Sequence, residues 1–264
     1  MEAELTRTVR FTLRPDGSLD ESAAVDNSHA AWPPLAGLGR YYELHVTCRG
    51  SVDDQTGYLL NIKHIDAATR SRVLPRVARC AEVGGRNVGQ LLRDAWTELS
   101  DELSPAVHRV GLQLTPTVCY TIEGHDMSRV LISQRYEFSA AHRLHAPALS
   151  AEENRRMFGK CNNPSGHGHN YRLEVTVAAP IDDQGATAGV GVIDAIVDQH
   201  VVERFDHQHL NIDTDDFADA NPSAENIARR CYDLLQPPLA DAGLELDHVK
   251  VWETEKTVCT YHGE

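Results

Sequence analysis

The chain has 264 residues, of which 41% are hydrophobic and 24% charged, a length for one large domain or two of about 130 residues. No apolar run approaches the roughly 20 residues of a membrane span, and no signal-peptide pattern stands at Met1-Glu2-Ala3-Glu4, so a cytoplasmic protein without a membrane partner is expected. Its 39 acidic and 25 basic residues give a net charge of −14, which opposes non-specific binding to nucleic acid or anionic lipid and leaves a small molecule as the default partner.

The stretch Pro15 to Gly39, rich in Pro, Gly, Ser and Asp, reads as a long loop. Tyr42-Glu43-Leu44-His45-Val46-Thr47 follows as a strand, then Val52 to Gln55. An Ile65-Asp66 pair opens a helical pattern, Asn87 to Leu99 is a second one, and a closing strand ends in Thr117-Val118-Cys119. Gly124 to Gln134 reads as a linker. The order then returns: Tyr171-Arg172-Leu173-Glu174-Val175-Thr176, Ile181 to Gln184, Ile193-Asp194, helical stretches Asp194 to Phe205 and Ala224 to Leu235 with Ser223 as N-cap, and a strand ending in Thr257-Val258-Cys259. This period is too long for a solenoid and marks a tandem pair of domains, 1–130 and 131–264.

Each copy reads strand, strand, helix, helix, strand, an α+β fold with an antiparallel sheet and two helices packed on one face. A few short strands per copy leave sheet edges, which proteins hide by closing barrels, often between subunits. Oligomerisation is therefore expected. The six cysteines form no CxxC pair, so neither a disulfide framework nor a thiolate zinc ribbon is indicated. Five of them read as small core residues, and Cys161 stands apart.

The chemistry is concentrated in Phe138-Ser-Ala-Ala-His142-Arg-Leu and Phe158-Gly-Lys-Cys161-Asn-Asn-Pro-Ser-Gly-His167-Gly-His169-Asn-Tyr. Two histidines two apart on a strand point the same way and can share one metal. His142, at the end of the preceding strand, supplies a third ligand if the two strands pair as a hairpin. Three imidazoles without a fourth protein ligand describe a catalytic zinc site, with a position left open for water or substrate.

With Phe205-Asp206-His207-Gln208-His209-Leu210-Asn211, Ser223-Ala224-Glu225-Asn226, Val251-Trp252-Glu253-Thr254 and the terminal Tyr261-His262-Gly263-Glu264, these motifs closely resemble the 6-pyruvoyl-tetrahydropterin synthase family, over residues from about Gln134 to the C-terminus. The resemblance implies a tunnelling fold. It also implies Zn2+ on His142, His167 and His169, a proton-abstracting thiolate at Cys161, and Asp206 and His207 completing a catalytic triad. Glu253 falls on the carboxylate that anchors the pterin ring, and Ser223 and Glu225 on positions lining its pocket, although Ala224 stands where a Thr is common. The implied reaction eliminates triphosphate from 7,8-dihydroneopterin triphosphate to give 6-pyruvoyltetrahydropterin, with no external redox cofactor. Lys160 and Arg143 are candidates for the triphosphate.

Laid on the second copy, the first puts Pro15 opposite His142, Arg40 opposite His169, Ala78 and Arg79 opposite Asp206 and His207, and Gln113 opposite Glu253. It therefore reads as a degenerate domain that keeps the packing residues and lacks a metal site. The family's domain forms trimers stacked into hexamers with sites between subunits, and three tandem chains imitate that arrangement, so a homotrimer is expected. Two other readings are weighed. One is 6-carboxytetrahydropterin synthase of the 7-deazaguanine route, similar to a shorter Cys-x3-His-Gly-His motif. The other is a non-catalytic pterin-binding protein, which would not need Cys161 or His207.

Overall fold

The computed structural model describes residues 1–19, 37–83, 87–103 and 106–263. Most of the predicted loop Pro15–Gly39 lies outside these residues. The chain divides into two compact units, one of Met1–Ile132 with Ala179–Ala188, the other of Ser133–Ala178 with Gly189–Glu264.

In the first unit β1 (Glu2–Leu13) pairs antiparallel with β2 (Arg40–Ser51), β2 with β3 (Val107–Gln113), and β3 with β4 (Val118–Glu123). Alternation along these strands turns Val9, Phe11, Leu44, Val46, Val110 and Leu112 to one face, all of them buried. Helices α1 (Ile62–Ala68), α2 (Leu74–Glu82) and α3 (Val88–Leu103) belong to the same unit, with α1 against β1 and α3 against β3 and β4. The stripe Leu91, Leu92, Ala95, Leu99 and Leu103 on α3 is buried at helical spacing. Each of these leucines contributes roughly 1.5–3 kcal/mol of hydrophobic stabilisation. Between α1 and α2 the helix widens into a π turn at Thr69–Val73, where the buried Thr69 hydroxyl donates to the Ile65 carbonyl at 2.7 Å.

The second unit repeats this plan. From Ser133 onward it contains β5 (Asp126–His142), then α4 (Ala151–Phe158), β6 (His167–Pro180), α5 (Val190–Val197), α6 (Glu203–Phe205), a two-residue strand β7 (Gln208–His209), α7 (Ala224–Asp241), β8 (Glu245–Thr254) and β9 (Thr257–Tyr261). β6 pairs antiparallel with β8 and β8 with β9, while β7 lies parallel to the end of β5. A π turn at Asp198–Val202 separates α5 from α6. Phe138, stacked on Tyr171 at 5.2 Å, and Phe205, Ile227, Cys231, Leu235 and Val251 fill the core.

The mixed, antiparallel architecture agrees with the expectation, and four details correct it. Each unit closes on two strands, because Thr-Val-Cys leads into the final strand (Val118–Glu123, Thr257–Tyr261) instead of ending the previous one. Gly124 to Gln134 holds the junction of the two units, at Ile132 and Ser133, but as a strand and not a loop: Gly124 and His125 turn the chain and β5 starts at Asp126, since Val130 and Ile132 alternate inward and are fully buried. Strand register sets Gln113 opposite Glu43 and Trp252 opposite Arg172, so Gln113 corresponds to Trp252, and Leu114 to Glu253. With the π turns matched, Val77 and Ala78, both buried in α2, stand where Asp206 and His207 stand in the second unit.

Of the five cysteines read as core, only Cys48 and Cys231 are buried, and Cys80, Cys119 and Cys259 are half-buried. Burial pushes the Cys231 thiol up to about 12. No helix among the described residues is long and apolar enough to cross a membrane. β1 and β9 each pair along one side only among the described strands.

Candidate active site

His142 is the last residue of β5, and His167 and His169 open the neighbouring β6. One ring nitrogen or other ligand atom from each of the three lies within 4.8 Å of the others. His142 Nε2 is 3.1 Å from His167 Nε2. Fully buried, His142 donates from Nδ1 to the Pro222 carbonyl at 2.6 Å, which turns the lone pair of its Nε2 toward the other rings. The Tyr171 hydroxyl lies 3.2 Å from the same Nδ1, and its ring stands edge-on to His169.

Burial holds both His142 and His169 below the ordinary imidazole value, against the opposing pull of Glu253. Both are therefore neutral near pH 7, the form that binds a metal. His169 Nε2 is buried with no hydrogen-bond partner among the described residues. A buried polar atom left unpaired costs about 1–3 kcal/mol, and convergent neutral imidazoles with one such atom fit a divalent transition metal that needs nitrogen donors.

Glu253 stands beside this cluster, its Oε1 3.6 Å from His142 Nε2 and 4.0 Å from His169 Nε2. It is there because β8 carries a bulge: Trp252 pairs with Val258 and Thr254 with Thr257, leaving Glu253 as the extra residue. Bulges re-aim side chains in this way.

The loop between the histidine-bearing strands is built to hold shape. Ser150 caps α4 in a capping box with Glu153. The buried Asn154 amide bridges the backbone of Ala146 and Leu149. Cys161 lies on a 3-10 turn, Gly159–Asn162, half-buried, its carbonyl accepting from Leu144 N at 2.9 Å. Arg143 donates to Asn162 Oδ1 at 2.7 Å and is braced through its backbone by the Asn211 amide. Lys160 is exposed.

Asp206 and His207 form a pair of their own. Asp206 Oδ1 accepts from Ser139 N at 2.7 Å and its Oδ2 from His207 Nδ1 at 2.8 Å. These two bonds, the Ser139 one foremost, hold the carboxyl below its usual range. His207 has φ 59° among the described residues, where no other non-glycine has a positive φ, and its side chain is 83% exposed. A non-glycine residue kept in that region is held by its surroundings, here by His207 N donating to Ser139 O, and such strain clusters at working sites. With His169, Ser139 and Asn170 it lines a cavity of about 550 Å³.

Thus His142, His167, His169 and Glu253 come together in one chain. No hydrogen bond among the described residues joins Cys161 to Asp206 or His207, and Cys161 does not line the His207 cavity. Ser223 caps α7, accepting from Asn226 N, and its side-chain hydrogen bond holds Glu225 below its ordinary value. Pro222, Tyr171 and Ser139 escaped the sequence reading. Pro222 and Ser139 act through the backbone and carry no side-chain signal, whereas Tyr171 stood at the end of the quoted motif without a role.

A model of the family described as 6-pyruvoyl tetrahydropterin synthase matches residues 131–264. The human 6-pyruvoyl tetrahydrobiopterin synthase is 42% identical over 134 residues, 50% of this chain and 91% of that protein. The Drosophila melanogaster protein of the same name is 40% identical over 133 residues, 50% of this chain and 79% of that one. The crystal structure of uricase from Arthrobacter globiformis is similar over 99% of this chain and 92% of that chain, with a TM-score of 0.51 and 7% identity. At that identity the likeness is one of fold alone.

Proposed function

The chain belongs to the 6-pyruvoyl tetrahydropterin synthase family, and on that premise we propose that it is a lyase converting 7,8-dihydroneopterin triphosphate to 6-pyruvoyltetrahydropterin with elimination of triphosphate. The observation that carries this reading is the convergence of three imidazoles, two of them held neutral by burial, with the Glu253 carboxylate beside them. His142, His167 and His169 would hold Zn2+, which would supply Lewis acidity toward the substrate side chain.

Glu253 accepts paired N–H donors from the guanidine-like edge of the pterin ring. Ser223 and Glu225 line the pterin pocket at the start of α7. Cys161, as thiolate, takes the carbon-bound proton. His207, its Nδ1–H fixed on Asp206, is the complementary acid or base at Nε2. Triphosphate departs with the electrons of its C–O bond. The side-chain carbons are oxidised as the dihydropterin ring is reduced, so no external redox cofactor enters.

No hydrogen bond joins Cys161 to the Asp206–His207 pair among the described residues of one chain, which supports a triad completed between chains. A cytoplasmic homotrimer, with barrels closed across the one-sided strands β1 and β9, accounts for this. Residues 1–130 form a degenerate tunnelling-fold domain and 131–264 the catalytic one. The repeated bulge after Thr47 and Thr176 and the repeated π turn support a tandem duplication.

Product analysis after incubating the zinc-loaded protein with 7,8-dihydroneopterin triphosphate tests the reading. Triphosphate with 6-pyruvoyltetrahydropterin is the expected result. 6-Carboxytetrahydropterin with acetaldehyde, or binding without turnover, would overturn it.

A further inference from the structure

We propose that the second unit carries another transition-metal site, at the far end of the β8–β9 hairpin from Glu253, formed by His248 and His262 with Asp247 as the orienting carboxylate. The β8–β9 register pairs Val249 with Tyr261 and Lys250 with Thr260, which carries His248 to the position across from His262. Opposed residues on one sheet face have neighbouring side chains, and the two imidazole centroids lie 5.2 Å apart. Asp247 joins them because it is the extra residue of a bulge: Thr176 pairs with His248 and Val177 with Leu246. The bulge brings the Asp247 carboxylate to 2.5 Å from His248 Nδ1.

That contact sets the tautomer. With the Nδ1 proton on Asp247, the lone pair of His248 is on Nε2, and Nε2 is buried with no hydrogen-bond partner among the described residues. Carboxylate to imidazole to metal is the usual order around a histidine ligand. Asp247, His248 and His262 present ligand atoms within 4.8 Å of one another.

His262 is not on a loose end. A Cβ at Gly263, whose φ is +85°, would fall 2.4 Å from Tyr232 Cζ, so only glycine lets the chain pass the Tyr232 ring there. Tyr232 is in turn fixed by its hydroxyl on the Leu246 carbonyl and by the Tyr261 ring.

The first unit supplies the internal control. Its matching bulge, at His108, is followed by Arg109, which pairs across the sheet with Glu123. Arg109 lies 2.9 Å from Glu4 and 3.8 Å from Glu123. There the cross-strand pair neutralises itself. In the second unit two imidazoles replace the Arg–Glu pair, and a cation shared between them would satisfy the buried His248 Nε2. Two imidazoles with a nearby carboxylate suit zinc, cobalt(II) or nickel(II) more than calcium or magnesium.

The test is metal stoichiometry on the full chain, stripped with chelator, reloaded with Zn2+ and desalted. Two zinc per chain are expected for the wild type, and one each for H262Q and H248Q. H167Q/H169Q should also retain one, which separates this site from the proposed active-site metal. Thermal melting gives an independent reading: added Zn2+ should raise the Tm of H167Q/H169Q but give no further rise once H262Q is added to that variant. If H262Q and H248Q retain as much zinc as the wild type, the site does not exist. The same holds if H167Q/H169Q retains none.

Discussion

Replacement of Asp216 by Ala is the sharpest test of how the fold supports the site. The Asp216 side chain is fully buried and sits between two guanidinium groups. Arg204 reaches both its oxygens, at 2.5 and 2.9 Å, and Arg230 donates twice to Oδ1, at 2.6 and 2.7 Å. Thr214 adds a bond of 2.7 Å. Burial alone pushes this carboxyl up, but Arg204, Thr214 and Arg230 overcome it and hold it below the usual range.

Breaking a buried ion pair by removing one partner costs about 3–5 kcal/mol. Here the stranded arginines are 46% and 36% exposed and can hydrate, so the lower end, about 3 kcal/mol, is expected. At about 2–4 °C per kcal/mol for a chain of this size, Tm falls by about 6–12 °C. R204A or R230A alone, leaving one arginine on the acid, should cost about 1–2 kcal/mol.

The effect should also reach the metal. Asp216 anchors the segment that runs from His207 to the Pro222 carbonyl, and that carbonyl orients His142. Zinc affinity of D216A is therefore expected to fall about tenfold, as losses around a metal's outer partners do. Urea unfolding and competitive zinc titration provide the readings. A stability loss under about 1 kcal/mol would refute the claim that this acid holds the segment.

Three further outcomes follow from the site. H169A should lose the proposed active-site zinc, read by metal content, while the fold persists by circular dichroism, since His169 Nε2 makes no protein bond among the described residues. C161A should bind the pterin substrate with near-normal affinity and lose turnover by at least about 100-fold, read by calorimetry beside product formation. With pH, burial depresses His142 and His169 in the folded chain, so below the ordinary imidazole value the unfolded state binds more protons and stability is lost as pH falls. Metal retention should fall over the same window, in a titration of zinc release from pH 7.5 down to 5.

The histidine triad was legible because its geometry is local: a His-x-His step on a strand has one orientation, and a hairpin supplies the third ring. The likeness of Tyr42 to Thr47 and Tyr171 to Thr176 was legible because both stretches form strands with a buried Leu and Val on one face. What escaped lies where backbone count departs from regular period. A bulge adds one residue without a distinctive side chain, so an alignment counted back from Thr-Val-Cys slips by one at Glu253, and Gln113 was set opposite it. Ala78 with Arg79 was set opposite Asp206 with His207 because the Ile-Asp pairs are spaced one residue less than the strands and π turns that both units carry. Glu253 itself was found by motif, yet its approach to His142 depends on a bulge that no alternation pattern announces.

The two wide helical turns have a bearing on engineering and on descent. An α-helix advances about 100° per residue, so deleting one residue from Asp198–Val202 would rewind the turn to α and swing everything after it by that angle. Phe205 would leave the core, and Asp206 and His207 would no longer depart beside Ser139. The first unit keeps the same wide turn at Thr69–Val73 although no acid and imidazole follow it. The turn therefore persists for the seating of helix on sheet, and the chemistry is a passenger on a joint that both halves need. Placing an acid and imidazole pair in the first half would require new side chains and an earlier helix exit, with the joint itself already in place.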